Sequence, residues 1–423
     1  MTVAPAAPGA GGASTTGGAL PVDAGELAAC VSCGLCLAHC PTYRVTGEEG
    51  LSPRGRIAAM RLVDAGAPID DPFERMMQTC VQCRACETAC PASVPFGRLM
   101  EATREVLAPR SVPWWQRATY RLLGYHRVLL ALTTAGALAQ RAHLVPGALA
   151  RRMAMPQLPV RSAPLEPTGS DVWLFPGCVM DAWMRDTHRA AIAVLGASGV
   201  GVALPGVGAG ADCCGALHVH AGLRGEAARL ARRVMGAFPG SAPILVDSAG
   251  CGAALKDYGH LLGTEEAKRF SARVYDIHEW IAGRAASMPP PADSAGAGSG
   301  RRLRVAVQDP CHLRHVQRAE APVRRVLEPY ADLVELADEG RCCGAGGAYS
   351  ALQPSLAGAI RVQKLAAISA VGADVVASAN PGCAMWLGAA GLPVRHPLEI
   401  VAAEAGLAPP LVTGRCGGGA VRR

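Results

Sequence analysis

Hydrophobic positions along this chain change their spacing at two places. From residue 171 onward, short apolar and β-branched runs alternate with helical stretches. Asp171–Phe175, Val200–Leu204 and Pro243–Asp247 read as strands, and Ala182–Leu195 as a helix between the first two. A second cycle repeats the pattern with Leu303–Val307, Asp332–Leu336 and Asp374–Ala377. Alternation of this kind predicts βαβ units and parallel sheets. Ahead of it the grain is helical: a loop from Leu51 to Ile57 leads into an apolar-periodic stretch ending at Val63. Between the two lies residues 112–152, opened by Trp114 and Trp115 and carrying Arg117, Arg121, Arg127, Arg141, Arg151 and Arg152. Its longest apolar-rich run, Val128–Ala139, is too short to span a bilayer, which takes about twenty residues. The segment reads as a helical bridge between domains with its arginines in water. The competing reading is a basic amphipathic helix that lies on a membrane or docks a partner.

These changes divide the chain. Residues 1–22 are rich in Ala, Gly, Pro and Thr, without Lys, Arg or an apolar stretch, and predict a disordered tail rather than a signal peptide. A helical domain covers 23–110, and a helical connector with a Pro156–Pro167 linker covers 111–168. Two α/β modules, 169–287 and 301–405, are separated by a Pro/Gly/Ala/Ser-rich linker at 288–300, and 406–423 is a C-terminal tail. The fold class is therefore multidomain α+β. A length of 423 residues suits two or three such domains. The net charge of +7 is modest, aromatic residues are 4%, and no Lys/Arg run has interleaved aromatics, which argues against nucleic acid as a partner. Seventeen cysteines without an export signal point to metal or redox sites, and to the cytoplasm, rather than to disulfides.

The cysteines carry the chemistry. The chain twice contains C-x-x-C-x-x-C-x-x-x-C-P, at Cys30, Cys33, Cys36, Cys40-Pro41 and at Cys80, Cys83, Cys86, Cys90-Pro91. Two such runs are the ligand sets of a two-cluster ferredoxin, in which the fourth cysteine of each run serves the other cluster. The expected sets are Cys30, Cys33, Cys36 and Cys90 for one [4Fe-4S] cluster, and Cys80, Cys83, Cys86 and Cys40 for the second. Structural zinc is the competing reading of paired C-x-x-C units, but a ribbon keeps its short pairs apart by a longer loop. Arg54 and Arg56, between the runs, either offset cluster charge or lie on the surface.

The α/β cycles carry a matching set. Cys178, Cys213-Cys214-Gly215 and Cys251 in the first correspond to Cys311, Cys342-Cys343-Gly344 and Cys383 in the second. Each group follows a predicted strand, and the carboxyl ends of parallel strands converge on a ligand crevice. Four cysteines per module could hold further clusters, with Gly215 and Gly344 allowing close backbone approach. Packing as small hydrophobes is the alternative. His218, His220 and His312 are candidate donors to cluster sulfur, whereas His278 and His396 read as packing residues and Cys416 as inert. No catalytic residue is expected. Gly206-Val-Gly208-Ala-Gly210 lacks dinucleotide-loop spacing and no length remains for a flavin domain, so any flavin belongs to a partner.

The two ferredoxin runs, Pro53-Arg54-Gly55-Arg56 and the Cys-Cys-Gly repeats resemble the iron–sulfur subunit of glycolate oxidase (glycolate dehydrogenase). Ser248-Ala-Gly-Cys251-Gly with Lys256-Asp257-Tyr258-Gly259, and Arg395-His396 with Leu398-Glu399-Ile400-Val401, carry the likeness over about residues 25–405. The resemblance implies two [4Fe-4S] clusters and an electron-transfer role beside FAD-containing subunits that oxidise a 2-hydroxy acid. Electrons would then leave to a membrane acceptor such as quinone, placing the protein on the inner membrane's cytoplasmic face. The Cys-Cys-Gly repeat is shared with heterodisulfide reductase and with lactate-utilisation and glycerol-3-phosphate dehydrogenase proteins. A thiol/disulfide or quinone reductase acting at the crevice is thus the rival reading. Heterodisulfide reductase repeats end in C-x-x-C, and here Ser248 and Asn380 stand at the first position of that pair.

Overall fold

A computed structural model describes residues 20–145, 158, 160, 163–206, 208–292, 301–338, 340–411, 413, 414 and 416. Most of the expected N-terminal tail and the linker beyond residue 292 lie outside the described residues.

The N-terminal domain is helical for local reasons. Helix Pro53–Asp64 starts with a proline in its first turn behind Ser52, whose hydroxyl accepts the Gly55 N–H. Asp70 caps helix Asp71–Gln78 in the same way through Phe73. Ile57, Met60 and Val63 on the first, Phe73 and Met77 on the second, and Leu99, Met100 and Leu107 on helix Phe96–Ser111 close one core around Cys80 and Cys86.

Each module is a four-stranded parallel sheet. The first comprises β1 (Val172–Leu174), β2 (Val202–Ala203), β3 (Ile244–Val246) and β4 (Val274–Asp276), in the order β2-β1-β3-β4. The second comprises β5 (Leu303–Val307), β6 (Ala331–Glu335), β7 (Val375–Ala377) and β8 (Val394–Arg395), in the order β6-β5-β7-β8. The six predicted strands all appear. The edge strands β4 and β8 were not expected; β4 runs straight into helix Ile277–Ala282, and β8 is one residue short of helix Pro397–Glu404. The helix expected at Ala182–Leu195 runs from Arg185 to Ala197 behind a separate turn, Val179–Trp183, broken at Met184.

The modules pack as pseudo-symmetric mates. Helix Arg185–Ala197 of the first lies on Pro397–Glu404 of the second, and Ile277–Ala282 of the first lies on Glu320–Leu327 of the second. One core runs through both, including Leu174, Val194, Ile277, Val323 and Leu398. The N-terminal domain docks on both modules. Tyr349 donates its hydroxyl to the Thr79 carbonyl at 3.1 Å, and Gln82 donates its amide to the His220 carbonyl at 2.7 Å.

The connector forms two helices, Trp114–Leu123 and His126–Arg141, bent by 102°. The second is pinned to the first module by a His126–Asp181 pair at 2.7 Å and by the Trp183 indole donating to Thr133 at 3.0 Å. Arginines were expected on its wet face. Arg127 and Arg141 do face water near its ends, but the outward stripe between them is apolar, with Val128, Leu132 and Leu138 exposed. Among the described residues no single helix is long and apolar enough to cross a membrane.

His396 ties the seam together in its neutral form. Its Nδ1 accepts the Leu398 N–H at 3.2 Å and its Nε2 donates to the Asp247 carbonyl at 3.0 Å. Burial, with the His278 ring 5.1 Å away, pushes its pKa down to about 3. A histidine depressed below its unfolded value of 6.5 contributes stability above that value. The contribution falls as the pH drops from 6.5 toward 3, by on the order of 2 kcal/mol at about pH 5. Thermal melts of wild type and His396→Asn across this window are expected to converge on acidification, since asparagine keeps the cap but does not titrate.

Candidate metal centres

The two ferredoxin runs fold as matching loops. Ser32 and Gly34 in the first, and Gln82 and Arg84 in the second, hold positive φ values of 58°, 86°, 58° and 61°. Left-handed residues at these places turn successive N–H groups into one concave face, the geometry that cradles anions and iron–sulfur clusters. The Gln82 N–H already points at Cys80 Sγ, 3.4 Å away. Three of the four residues are not glycine, so the turn costs on the order of 1–3 kcal/mol per residue unless something offsets it. Arg84 is held in place by Glu87 at 2.9 Å, and Glu87 in turn accepts the Gly97 N–H at 2.6 Å.

Cys40 of the first run and Cys80, Cys83 and Cys86 of the second line one cavity with Arg56 and Phe96. Cys30, Cys36 and Cys90 gather around the N-terminal core, while Cys33 is exposed. Burial pushes Cys86 well above the usual thiol range, and the neighbouring Cys80 and Cys40 push it further. Buried thiols this close cannot all ionise without a cation among them. A donor set made only of thiols, wrapped by inward N–H groups, fits an iron–sulfur cluster.

Arginines brace these loops. Arg56, 1% exposed, donates to the carbonyls of Leu51 and Met76 at 2.6 and 2.7 Å and reaches within 4.0 Å of Cys40 Sγ. Arg54 is partly exposed, pairs with Glu49 at 2.7 Å and donates to the Ser32 carbonyl at 3.1 Å. Sequence reasoning missed Arg61, which donates to the Cys30 carbonyl at 2.6 Å, and Arg104, which donates to the carbonyls of Cys80 and His220, each at 2.7 Å. Arg104's place on the buried stripe Leu99-Thr103-Leu107 was the available signal.

In the modules, the cysteines follow the carboxyl ends of β2, β1 and β3, and of β6, β5 and β7. The chain adds β2 on one side of β1 and then β3 on the other, so these ends flank the point where strand order reverses. Cys214 Sγ lies 3.3 Å from Cys251 Sγ, and Cys343 Sγ lies 3.1 Å from Cys383 Sγ. Cys178 contacts Cys213, and Cys311 contacts Cys342, completing four neighbouring thiols in each module. In each set the neighbouring thiols lower one pKa, that of Cys213 and that of Cys343, against the opposing effect of burial. Cys83 and Cys311 both pack against the cluster that contains Cys342, Cys343 and Cys383, so the second ferredoxin cavity and the second module's set lie side by side.

The remaining candidates sort themselves by contact. His218 is buried, with its ring 5.6 Å from that of Tyr120. His312 instead donates Nε2 to the Gln82 carbonyl at 3.2 Å, and His220 packs its ring 5.2 Å from that of His312. Asn380 donates Nδ2 to Cys383 Sγ at 3.6 Å and accepts the Gly250 N–H of the other module at 3.1 Å. Cys416 is buried against the second module, its N–H bonded to Ala373, and burial raises its pKa to about 11. Gly344 permits a close approach of a different kind from the expected one. A Cβ there would stand 2.6 Å from the Ala357 carbonyl, part of helix Pro354–Val371.

A helical domain with two tetrathiol runs, joined to two Cys-Cys-Gly sheets, defines an iron–sulfur protein of the electron-transfer class. Comparison with known proteins agrees: a 4Fe-4S dicluster domain matches residues 26–94, and a cysteine-rich domain matches 172–256 and 305–388. The chain is 31% identical to the probable glycolate oxidase iron–sulfur subunit of Bacillus subtilis, over 86% of this chain and 89% of that one. It is 30% identical to the glycolate oxidase iron–sulfur subunit of Escherichia coli, over 89% and 93%. A heterodisulfide reductase component of Methanosarcina barkeri is 28% identical over 85% and 87%. The chain belongs to the glycolate oxidase iron–sulfur subunit family. Its role is iron–sulfur electron transfer within an oxidoreductase complex that includes partner subunits.

Gly344→Ala is expected to cost about 2 kcal/mol or more in denaturant unfolding, because it adds a Cβ clash to a left-handed backbone. Gly372→Ala, equally left-handed but with open space around it, is expected to cost only about 1 kcal/mol.

Proposed function

We propose that this chain is the electron-transfer subunit of a flavin-dependent 2-hydroxy-acid dehydrogenase of the glycolate type. In this reading the FAD is bound by partner subunits, and the acceptor is a membrane quinone reached from the cytoplasmic face. Cys30, Cys33, Cys36 and Cys90 hold one [4Fe-4S] cluster, and Cys80, Cys83, Cys86 and Cys40 hold the other. Cys178, Cys213, Cys214 and Cys251, with Cys311, Cys342, Cys343 and Cys383, provide sites for further clusters. When bound, the clusters supply one-electron steps that divide the flavin's two-electron chemistry. The chain's own groups set the conditions: inward N–H groups and Arg56 and Arg104 favour added negative charge, and burial keeps water from Cys40, Cys80 and Cys86 while Cys33 stays exposed.

The observation that carries this reading is the packing of Cys83 and Cys311 on the cluster that holds Cys342, Cys343 and Cys383, which sets thiols of one domain beside those of the next. A relay needs such adjacency, whereas a scaffold does not. The crevice-reductase reading is weakened by Asn380, whose amide occupies the position of a fifth thiol and is bonded to Cys383 and Gly250.

Iron and acid-labile sulfide on anaerobically purified protein test the assignment. About eight irons per chain correspond to the ferredoxin pair alone, and roughly twelve or more to loaded modules as well. A Cys178/Cys214/Cys311/Cys343→Ala variant is expected to return to about eight. Reconstituted with its flavin subunits, the wild type is expected to pass electrons from glycolate to a soluble dye. Cys83→Ala is expected to slow that transfer by roughly tenfold or more. Stoichiometric zinc in place of iron would sink the proposal.

A further inference from the structure

The connector's two helices present their polarity the wrong way round for a surface in water. In Trp114–Leu123, Gln116 is buried and donates to the Tyr120 hydroxyl at 3.0 Å, while Trp114 and Trp115 are 80% and 50% exposed. In His126–Arg141, Leu129, Thr133 and Ala137 face the protein, and Val128, Leu132 and Leu138 face outward. Tyr125 at the corner and Leu144 just beyond the second helix are exposed as well. These seven are half of the 14 large exposed hydrophobic residues in the described chain, gathered on one element. A concentrated apolar face of this kind marks an interaction surface.

The charge pattern identifies what covers it. From Val106 to Leu165 the sequence contains no Asp or Glu, but eight arginines: 110, 117, 121, 127, 141, 151, 152 and 161. A protein partner presents charges of both signs, and its complement would carry some carboxylates. In space Arg121 is paired with Glu226 of the first module at 3.2 Å, while Arg127 and Arg141 stand exposed beside the apolar stripe, so the face itself carries positive charge and complements a negative surface. Exposed tryptophans and tyrosine on an arginine-bearing apolar helix are the chemistry of the headgroup region. Together the two helices have the length and composition of one broken span, but they are bent by 102° to each other and the inner face of the second is packed on the first module, an arrangement that lies along a surface.

We propose that this elbow docks on the anionic face of a lipid bilayer and lies in the headgroup layer without spanning it. The inference rests on the reading that the electron acceptor is membrane-borne, and it gives that acceptor a way in. A cleft of about 540 Å³ separates the elbow from the first module. Leu130, Ala131, Leu165 and Pro205 line it, and so do Gly177 and Asp212, the chain neighbours of Cys178 and Cys213. Arg127 and Ala131 belong both to the exposed surface and to the cleft wall. His126, Asp181 and Arg185 supply the cleft's polar wall, so a ring compound with a polar edge would come from the bilayer surface to within one residue of Cys178 and Cys213.

Flotation of the full-length subunit with vesicles tests this, using phosphatidylcholine alone and phosphatidylcholine with phosphatidylglycerol. Binding is expected only with phosphatidylglycerol and is expected to fall as salt rises. Trp114→Ser/Trp115→Ser and Leu132→Ser/Leu138→Ser are each expected to weaken it by roughly tenfold or more, with iron content unchanged. Brominated lipid should quench wild-type tryptophan emission and leave that of the tryptophan variant unaltered. Wild type that stays free of phosphatidylglycerol vesicles overturns the proposal, whether a flavin subunit or residues 146–162 then cover the face. Variants that float as well as wild type overturn it too. Dye reduction with the flavin subunits needs no vesicles, so it judges the electron-transfer reading separately. Intact dye reduction without vesicle binding removes the docking surface alone.

Discussion

Burying thiols beside one another is the constraint on which this molecule depends. Cys40, Cys80, Cys83 and Cys86 share one cavity, and each module brings four more thiols into contact. Protonated, such groups are small and weakly polar; ionised, they repel one another in a medium that screens poorly. The surroundings are arranged for the ionised state with cations among the sulfurs. Loop residues hold left-handed conformations that turn N–H groups inward, and Arg56 and Arg104 are buried on the carbonyls behind them.

That constraint explains the placement of the domains. Parallel strands end together, and the reversal of strand order in each sheet opens a gap where three loops can converge. Pseudo-symmetric packing sets the two gaps back to back, with Ala249 N–H bonded to the Ala379 carbonyl and Gly250 N–H to Asn380. The second ferredoxin loop then sits across both modules, held by Gln82 on His220 and by His312 on Gln82. The packing of Cys83 beside Cys311 on the second module's cysteine cluster is the outcome of that docking.

The connector shows the same logic from outside. Its inward face secures it through Asp181, which His126 and Arg185 hold at a pKa of about 2 against the opposing effect of burial. Its outward face carries apolar and aromatic groups that add nothing to the chain's own core. Residues that do not serve the fold are the ones free to serve a surface.

The sequence by itself determined the class of protein. Cysteine spacing, the prolines after each run and the duplicated Cys-Cys-Gly groups are local features, and local features survive translation into structure. The six strand runs and the apolar-periodic stretch ending at Val63 were legible because their patterns act within a few residues, whereas the start of that helix at Pro53 fell inside the run read as a loop. What only the tertiary structure decided concerns partners far apart in the chain. Arg56 was equally readable as a surface residue until Met76 and Leu51 closed around it. The outward tryptophans read as an ordinary bridge until the burial of Gln116 and Tyr120 fixed which side faced in. Periodicity says that a helix has two faces, but only packing against the rest of the molecule chooses between them.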